Sequence, residues 1–488
     1  MKINYIIIAI CVTVISSCEK KLDLAPLTNP TINTFYKTTE DAAAAITGIY
    51  SVLLDIYTHE VIVTPNTVAA DDAVPFLQGN ADRRALWSYN FVSINSFTST
   101  PWAISYQAIQ RANVAIARIP NIAMDENLKK RYLAEAKFLR AIMYFNLVRF
   151  YGGIPIITNE TTSLQNIEVS RNTKEEVYAF IEADLKEAEA VLPLKYTGAD
   201  IGRATQGAAK GLLAKVYLTQ PGNEAVSPSW AKAAAKAKEV IDMGVYDLWE
   251  NYADVFDLRN KGGKESLFEV LYLTDVNGNW HTTYWAPRGD PRVPSNGFGT
   301  IRPTKNLYDL YSSNDKRKAV TFLTSYVNPT TGATVNLSID DPNPALAISF
   351  WKLADMTSKL GGGGGKSFPY LRFSDILLIY AEALNEMNGP TAEAYNAINR
   401  VRTRAGLNPL SGLAKAQFKD AVLTERRLEF TLEGNRWFDL ARTGRLVEAV
   451  KAETTFARNP LIQPHHILFP IPQREIGANP ALVQNPGY

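Results

Sequence analysis

The sequence predicts a mainly α-helical protein in which paired helices form a scaffold and one long irregular segment carries a loop-rich ligand-binding region with a few short strands. Three observations lead there. Apolar residues recur at i, i+3 and i+4 in segment after segment, start and stop signals bracket those segments, and the helical period fails only between about 245 and 370.

Taken in order, Thr38 and Asp41 form a capping pair for an Ala-rich helix reaching about Tyr57. Thr100-Pro101 sets proline at a first helical position and opens WAISYQAIQRANVAIARI. From about Leu128 to Tyr151 the residues Leu133, Ala136, Leu139, Met143, Leu147 and Phe150 keep helical spacing, and Gly152-Gly153-Ile154-Pro155 ends the run. Thr173 and Glu176 make a capping box before VYAFIEADLKEAEAVL. Residues 204–219 and 230–243 follow, the second led by Ser227-Pro228, and 371–388, 391–405 and 415–433 close the helical set. They pair as antiparallel hairpins: 128–151 with 173–192, 204–219 with 230–243, and 371–388 with 391–405. The pattern resembles tetratricopeptide helix hairpins, with an irregular period and without the full consensus. Helix pairs of this kind are scaffolds that present a binding face.

In the irregular stretch, 266–273 (SLFEVLYL) reads as a strand and Asn328 to Ala333 as a turn between short strands. A long irregular segment inside a regular protein points to function.

Composition excludes several classes. The 488 residues carry a net charge of +2, and Lys and Arg are spread along the chain, so no basic stripe for nucleic acid exists. Both cysteines lie in the first 18 residues, which removes a disulfide framework, a thiolate zinc site and a cysteine nucleophile from the body. Those first residues read as one processed segment: Lys2 is a short positive region, Ile3 to Ile15 an apolar one, and Ile15-Ser16-Ser17-Cys18 resembles the lipobox of bacterial lipoproteins. Cys18 is then the lipidated residue, and EKKLDLAPLTNP a polar tether, giving attachment to a membrane through an N-terminal lipid.

The glycine run LGGGGGKS fails as a phosphate loop, because the first required glycine falls on Leu360 and no hydrophobic strand precedes it. It reads as a flexible connection. His59, His281, His465 and His466 give no spaced metal set, and His465-His466 is expected in an exposed loop. Glu425, Glu429 and Glu433 stack at i, i+4 and i+8, and with Arg426, Arg427, Arg436 and Arg442 close by they read as a structural ion-pair network. No catalytic constellation, cofactor site or metal site emerges.

Two loops stand out instead. NGNWHTTYWAPRGDPRVPSNGFG (277–299) sets Asn279, Trp280, Tyr284, Trp285 and Arg288 among glycines and prolines; flat rings beside amide and guanidinium donors suit sugar rings, and would also suit a peptide. AADDAVPFLQGNADRRALWSYN (69–90) offers Asp72, Arg83 and Trp87 as further candidates.

Three segments carry a family resemblance. YLRFSDILLIYAEALNE (370–386) with AINRVRTRAGL (397–407), LTERRLEFTLEGNRWFDLARTGRL (423–446) and LFPIPQREIGANPALVQNPGY (468–488) resemble the SusD/RagB family of outer-membrane nutrient-binding lipoproteins, and AEAKFLRAIMYFNLVRFYGGIPI (134–156) resembles its N-terminal helix. The resemblance implies about four tetratricopeptide-like hairpins under a loop-rich ligand face. It also implies a non-enzymatic lipoprotein, facing the cell exterior, that captures an oligosaccharide and delivers it to a TonB-dependent SusC-like barrel. Residues 1–17 are then the signal peptide, 18–36 the lipidated tether, 37–245 the N-terminal helical region, and 246–488 the C-terminal region with variable ligand loops over 246–369, all in one compact body. A peptide ligand on the same architecture and a lipid-anchored glycoside hydrolase are the alternatives; the latter needs two carboxylates spaced across a cleft.

Overall fold

A computed structural model of the protein describes residues 35–58, 61–161 and 168–488. The expected signal peptide, Cys18, nearly all of the tether and His59 lie outside the described residues. Nine main helices carry the architecture: α1 (Thr39–Tyr57), α2 (Ser96–Arg118), α3 (Glu126–Tyr151), α4 (Lys174–Val191), α5 (Gln206–Thr219), α6 (Pro228–Asp242), α7 (Phe373–Asn388), α8 (Ala392–Arg404) and α9 (Lys415–Glu429). Each packs on the next from α1 to α7, and α7 also packs on α8 and α9. The α6–α7 contact closes the stack across residues 243–372, so the irregular segment leaves the scaffold and returns to it without interrupting it.

Local chemistry explains the boundaries. The Thr38 hydroxyl accepts from the Asp41 amide while Asp41 accepts from the Thr38 amide at 3.0 Å, and Thr173 with Glu176 repeats the device at α4. α2 starts earlier than expected: Asn95 caps it, and Pro101 lies inside. α3 is buried on every face from Phe138 to Val148, because α2 and α4 cover its sides and the C-terminal segment covers its end, where Phe150 stacks on Phe469 at 4.8 Å. A strand replaces the first residues expected to be helical at 371. Phe368–Arg372 pairs antiparallel with Ser266–Val270, and α7 begins directly after it. These two strands pack over α5, where Gly211 leaves room for Leu267, Leu371 and Ile376. Ala73–Pro75 pairs with Ile301–Pro303, and Ser325–Val327 pairs with Thr334–Asn336 around the turn read from Asn328 to Ala333. His466 is not exposed as expected. It packs against Tyr89, Phe91 and Tyr488, and burial holds its pKa down to about 4.

The glutamates form an ion-pair network with different partners from those nearest in sequence. α9 ends at Glu429, and Glu433 lies beyond it in a turn where Leu432 has φ of 64°. Arg317 reaches Glu425 at 2.6 Å and Glu429 at 3.0 Å; Arg404 reaches Glu429 at 2.5 Å and Glu265 at 3.0 Å. Arg372 bridges Glu265 at 2.6 Å, Glu429 at 2.8 Å and Glu433 at 2.8 Å, and Lys352 reaches Glu433 at 2.5 Å. Arg426 instead serves Asp375 and Asp439, Arg442 serves Glu382, and Arg427 and Arg436 serve Asp72 and Asp71. A sequence-adjacent guanidinium on the opposite helix face cannot reach these carboxylates, whereas residues far along the chain arrive on the correct side. Burial alone would raise Glu429, but Arg404, Arg372 and Arg317 together hold it well below the usual carboxylate range.

Arg372→Met is expected to lower stability by about 3–5 kcal/mol, because three buried carboxylates lose a shared cation; an unchanged urea midpoint would contradict this. Glu429 and Asp375 both have depressed folded-state pKa values, so their stabilisation is complete above the unfolded carboxylate range and is lost progressively as pH falls from that range towards the depressed folded-state values. Unfolding free energy is expected to decline steadily below about pH 4, as followed by denaturant titration at successive pH values.

Candidate ligand-binding face

The glycine run is a pinned seat rather than a flexible connection. The Asp355 carboxylate accepts from the Gly365 amide at 2.7 Å and from the Thr274 hydroxyl at 2.9 Å. Asp275 accepts from the amides of Lys359 at 2.9 Å and Leu360 at 3.2 Å, and its own amide donates to the Gly363 carbonyl at 2.9 Å. Asn279 and Gly364 exchange backbone bonds, and the Asn279 side chain donates to the Lys366 carbonyl at 2.7 Å. Gly362 has φ of +77°, and a Cβ there would lie 2.5–2.8 Å from the Trp280 indole. The indole rests on bare backbone, which is why this position is glycine.

Residues 281–285 form a short helix that sorts the candidate aromatic residues by facing. His281 and Trp285, four apart, point inward, stack at 4.6 Å and are buried. Trp280 and Tyr284, also four apart, face outward and are half-buried. With Phe298 they make a three-ring cluster: Trp280 lies edge-on to Tyr284 at 5.6 Å and near-parallel to Phe298 at 6.4 Å, and Tyr284 meets Phe298 at 5.4 Å. Arg288 is exposed, donates to the Phe298 carbonyl at 3.2 Å and sits 4.6 Å over the Phe76 ring. Asn279, by contrast, is 1% exposed and spent on the glycine run.

The 69–90 candidates serve the scaffold. Asp72 is 1% exposed and paired with Arg427 at 2.8 Å. Arg83 is buried, lies 5.4 Å over the Phe97 ring, and is held down to about 10 by burial. Trp87 is half-buried under the Arg458 guanidinium, which donates to its carbonyl at 2.7 Å. Asp72 and Trp87 are turned to these partners, while Arg83 lies near enough to Tyr284 of the ring cluster for the phenol to act on its charge. Phe76, in the same stretch, is brought to the face: the Ala73–Pro75 strand pairs with Ile301–Pro303 and carries Phe76 beside Arg288.

Phe76 also lines a cleft of about 420 Å³ with Gln78, Gly299, Arg302, Asn343 and Phe456. Arg302 lies 3.9 Å over the Phe456 ring, donates to the Asp341 carbonyl, and is drawn down to about 10 by burial. The face thus combines flat rings with fixed guanidinium and amide donors, a set that fits a ligand with apolar faces and hydroxyl edges. Phe298 and Phe76 lay within the quoted loops and are recoverable from aromatic content; Arg302, Asn343 and Phe456 arrive through strand pairing and chain return that no local pattern announces. Among the described residues no group of three His, Cys, Asp or Glu is placed to hold a metal ion.

Comparison with known proteins follows the same lines. Residues 324–488 match the family described as the SusD family, and residues 29–218 match the family described as starch-binding associating with outer membrane. A SusD-like protein of Formosa agariphila is 28% identical, the alignment spanning 100% of both chains. A solved laminarin-binding SusD-like protein superposes with a TM-score of 0.80 at 28% identity, covering 93% of this chain and 100% of that one. A SusD homologue of Bacteroides thetaiotaomicron gives a TM-score of 0.83 at 26% identity, covering 93% and 98%.

Gly362→Ala is expected to cost about 1–3 kcal/mol, since the new methyl group overlaps the indole, and to shift tryptophan emission in a way that a Trp280→Phe background abolishes. Identical emission spectra for Gly362→Ala and the parent would show that the indole does not rest on Gly362.

Proposed function

Because the chain belongs to the SusD/RagB family, we propose that it is a non-catalytic glycan-binding lipoprotein of the outer membrane, anchored through Cys18, facing the cell exterior and handing oligosaccharide to a TonB-dependent SusC-like barrel. The observation that carries the glycan reading is the outward ring cluster of Trp280, Tyr284 and Phe298, continuous through Arg288 and Phe76 with the Arg302–Phe456 cleft. Sugar rings present C–H faces to aromatic planes, and their hydroxyls accept from guanidinium groups or bond to amides. Here Trp280 and Phe456 supply the planes, and Arg288, Arg302, Asn343 and Gln78 the polar edge. Trp285, Asn279, Asp72 and Arg83 are buried and Trp87 is half-buried under Arg458, so their part is to support this face. The laminarin-binding relative makes laminarin the first ligand to test.

Trp280→Ala and Tyr284→Ala are each expected to weaken glycan binding about tenfold or more, equivalent to about 1.4 kcal/mol, with unchanged helical content. Calorimetric titration against laminarin, other α- and β-glucans, and peptides measures this. Unchanged affinity in the double variant would remove the ring cluster from the site, and binding of peptides alone would reassign the ligand. Solubilised outer membrane is expected to yield the protein together with a β-barrel partner, and loss of membrane attachment in Cys18→Ala tests the anchor.

A further inference from the structure

On the helical side, two cavities of about 280 Å³ and 230 Å³ meet at Ile201, Gly202, Arg203 and Glu269, and share no lining with the aromatic cleft. The larger is walled by Leu53 and Leu54 of α1, Ile201, Val270 and Leu271, with Thr47 and Ser51 at its exposed rim. Glu269 reaches into both. Its Oε1 accepts from the Gly262 amide; its Oε2 has no hydrogen-bond partner, and the side chain forms no ion pair, among the described residues. The residue is 8% exposed. Glu265, four residues earlier on the same strand approach, has two arginine partners, so the solitary state of Glu269 is a local exception.

Of the charged groups around it, Arg203, Lys261 and Lys264 hold other partners, and Lys195 is exposed. Arg203 is bound to Glu135 and Asp200, each at 2.8 Å, and Lys261 donates to the Tyr272 carbonyl at 2.5 Å. Lys264 pairs with Glu250 at 2.9 Å, and Lys195 lines the smaller cavity. The lining phenols Tyr50, Tyr196 and Tyr246 are all raised, by burial first, and stay neutral near pH 7. Burial pushes the Glu269 carboxyl up to about 7, against lowering by the Gly262 amide and Lys261. An ionised Glu269 therefore stands in a low-dielectric pocket with no ion pair among the described residues, Lys261 acting on it only from a distance, and an incoming cation relieves that cost.

We propose that this cavity is a second binding site, for a small ligand bearing an ammonium group on a short apolar body. The ammonium donates to Glu269 Oε2, and the apolar body lies against Leu53, Leu54, Val270 and Leu271.

The test is calorimetric titration of the whole protein with hexylamine at pH 8 and pH 6, with 1-hexanol as the uncharged control. An alkylammonium stays charged at both pH values. Hexylamine is expected to bind at pH 8 and about tenfold more weakly at pH 6, as Glu269 takes up its proton. Glu269→Gln removes the carboxylate and Thr47→Trp blocks the exposed rim; each is expected to abolish binding while retaining helical content. Absence of hexylamine binding, retention in Glu269→Gln, or equal binding of hexanol overturns the proposal. Trp280→Ala leaves hexylamine binding intact, so failure here and failure of the glycan reading are separately visible.

Discussion

One carboxylate, Glu429, ties the irregular segment to the C-terminal helices of the stack. It receives guanidinium groups from Arg317 in the irregular segment, Arg372 at the end of its returning strand, and Arg404 at the end of α8. Those arginines are in turn shared with Glu265, Glu425 and Glu433. Each of these groups is buried, so each is stable as an ion only when all the contributing segments are docked together. The network therefore couples the long irregular segment to the helix stack, a task that helix packing alone does not perform because α6 and α7 close on each other without it.

From that anchor the ligand face follows in steps. Arg372 ends the strand Phe368–Arg372, which fixes the chain immediately preceding it, the glycine run. The run, held by Asp355, Asp275 and Asn279, offers bare backbone on which the Trp280 indole rests. The short helix after Trp280 then divides its rings by spacing, with two turned to the core and two to the surface. Rings seated in this way are ordered by the protein itself, which lowers the ordering cost of any binding on them.

How much of this the sequence disclosed depended on whether the determining contact was local. Capping at Thr38 and Thr173, the hairpin pairs and the turn at Asn328 are set by neighbours within a few residues, and they were legible. The start of α2 was displaced because Asn95 is the better cap and Pro101 is tolerated within the helix. The presence of a glutamate network was legible, but not its partners, since Arg317, Arg372 and Arg404 meet Glu429 only through the tertiary fold. The ring loop was visible as composition. Its division into Trp280 with Tyr284 and His281 with Trp285 needed the knowledge that five residues there are helical. Arg302 and Phe456 escaped because strand pairing and a distant chain return bring them together.

On the proposed reading, ligand is held on the outward rings and the adjoining cleft. The most direct measurement is a crystal structure of the protein with a bound laminarin oligosaccharide. A sugar ring is expected along Trp280 or Phe456 at about 4 Å, with hydroxyls in reach of Arg288 or Arg302. An ordered oligosaccharide bound elsewhere, with Trp280, Tyr284 and the Phe456 cleft left in solvent, would contradict it.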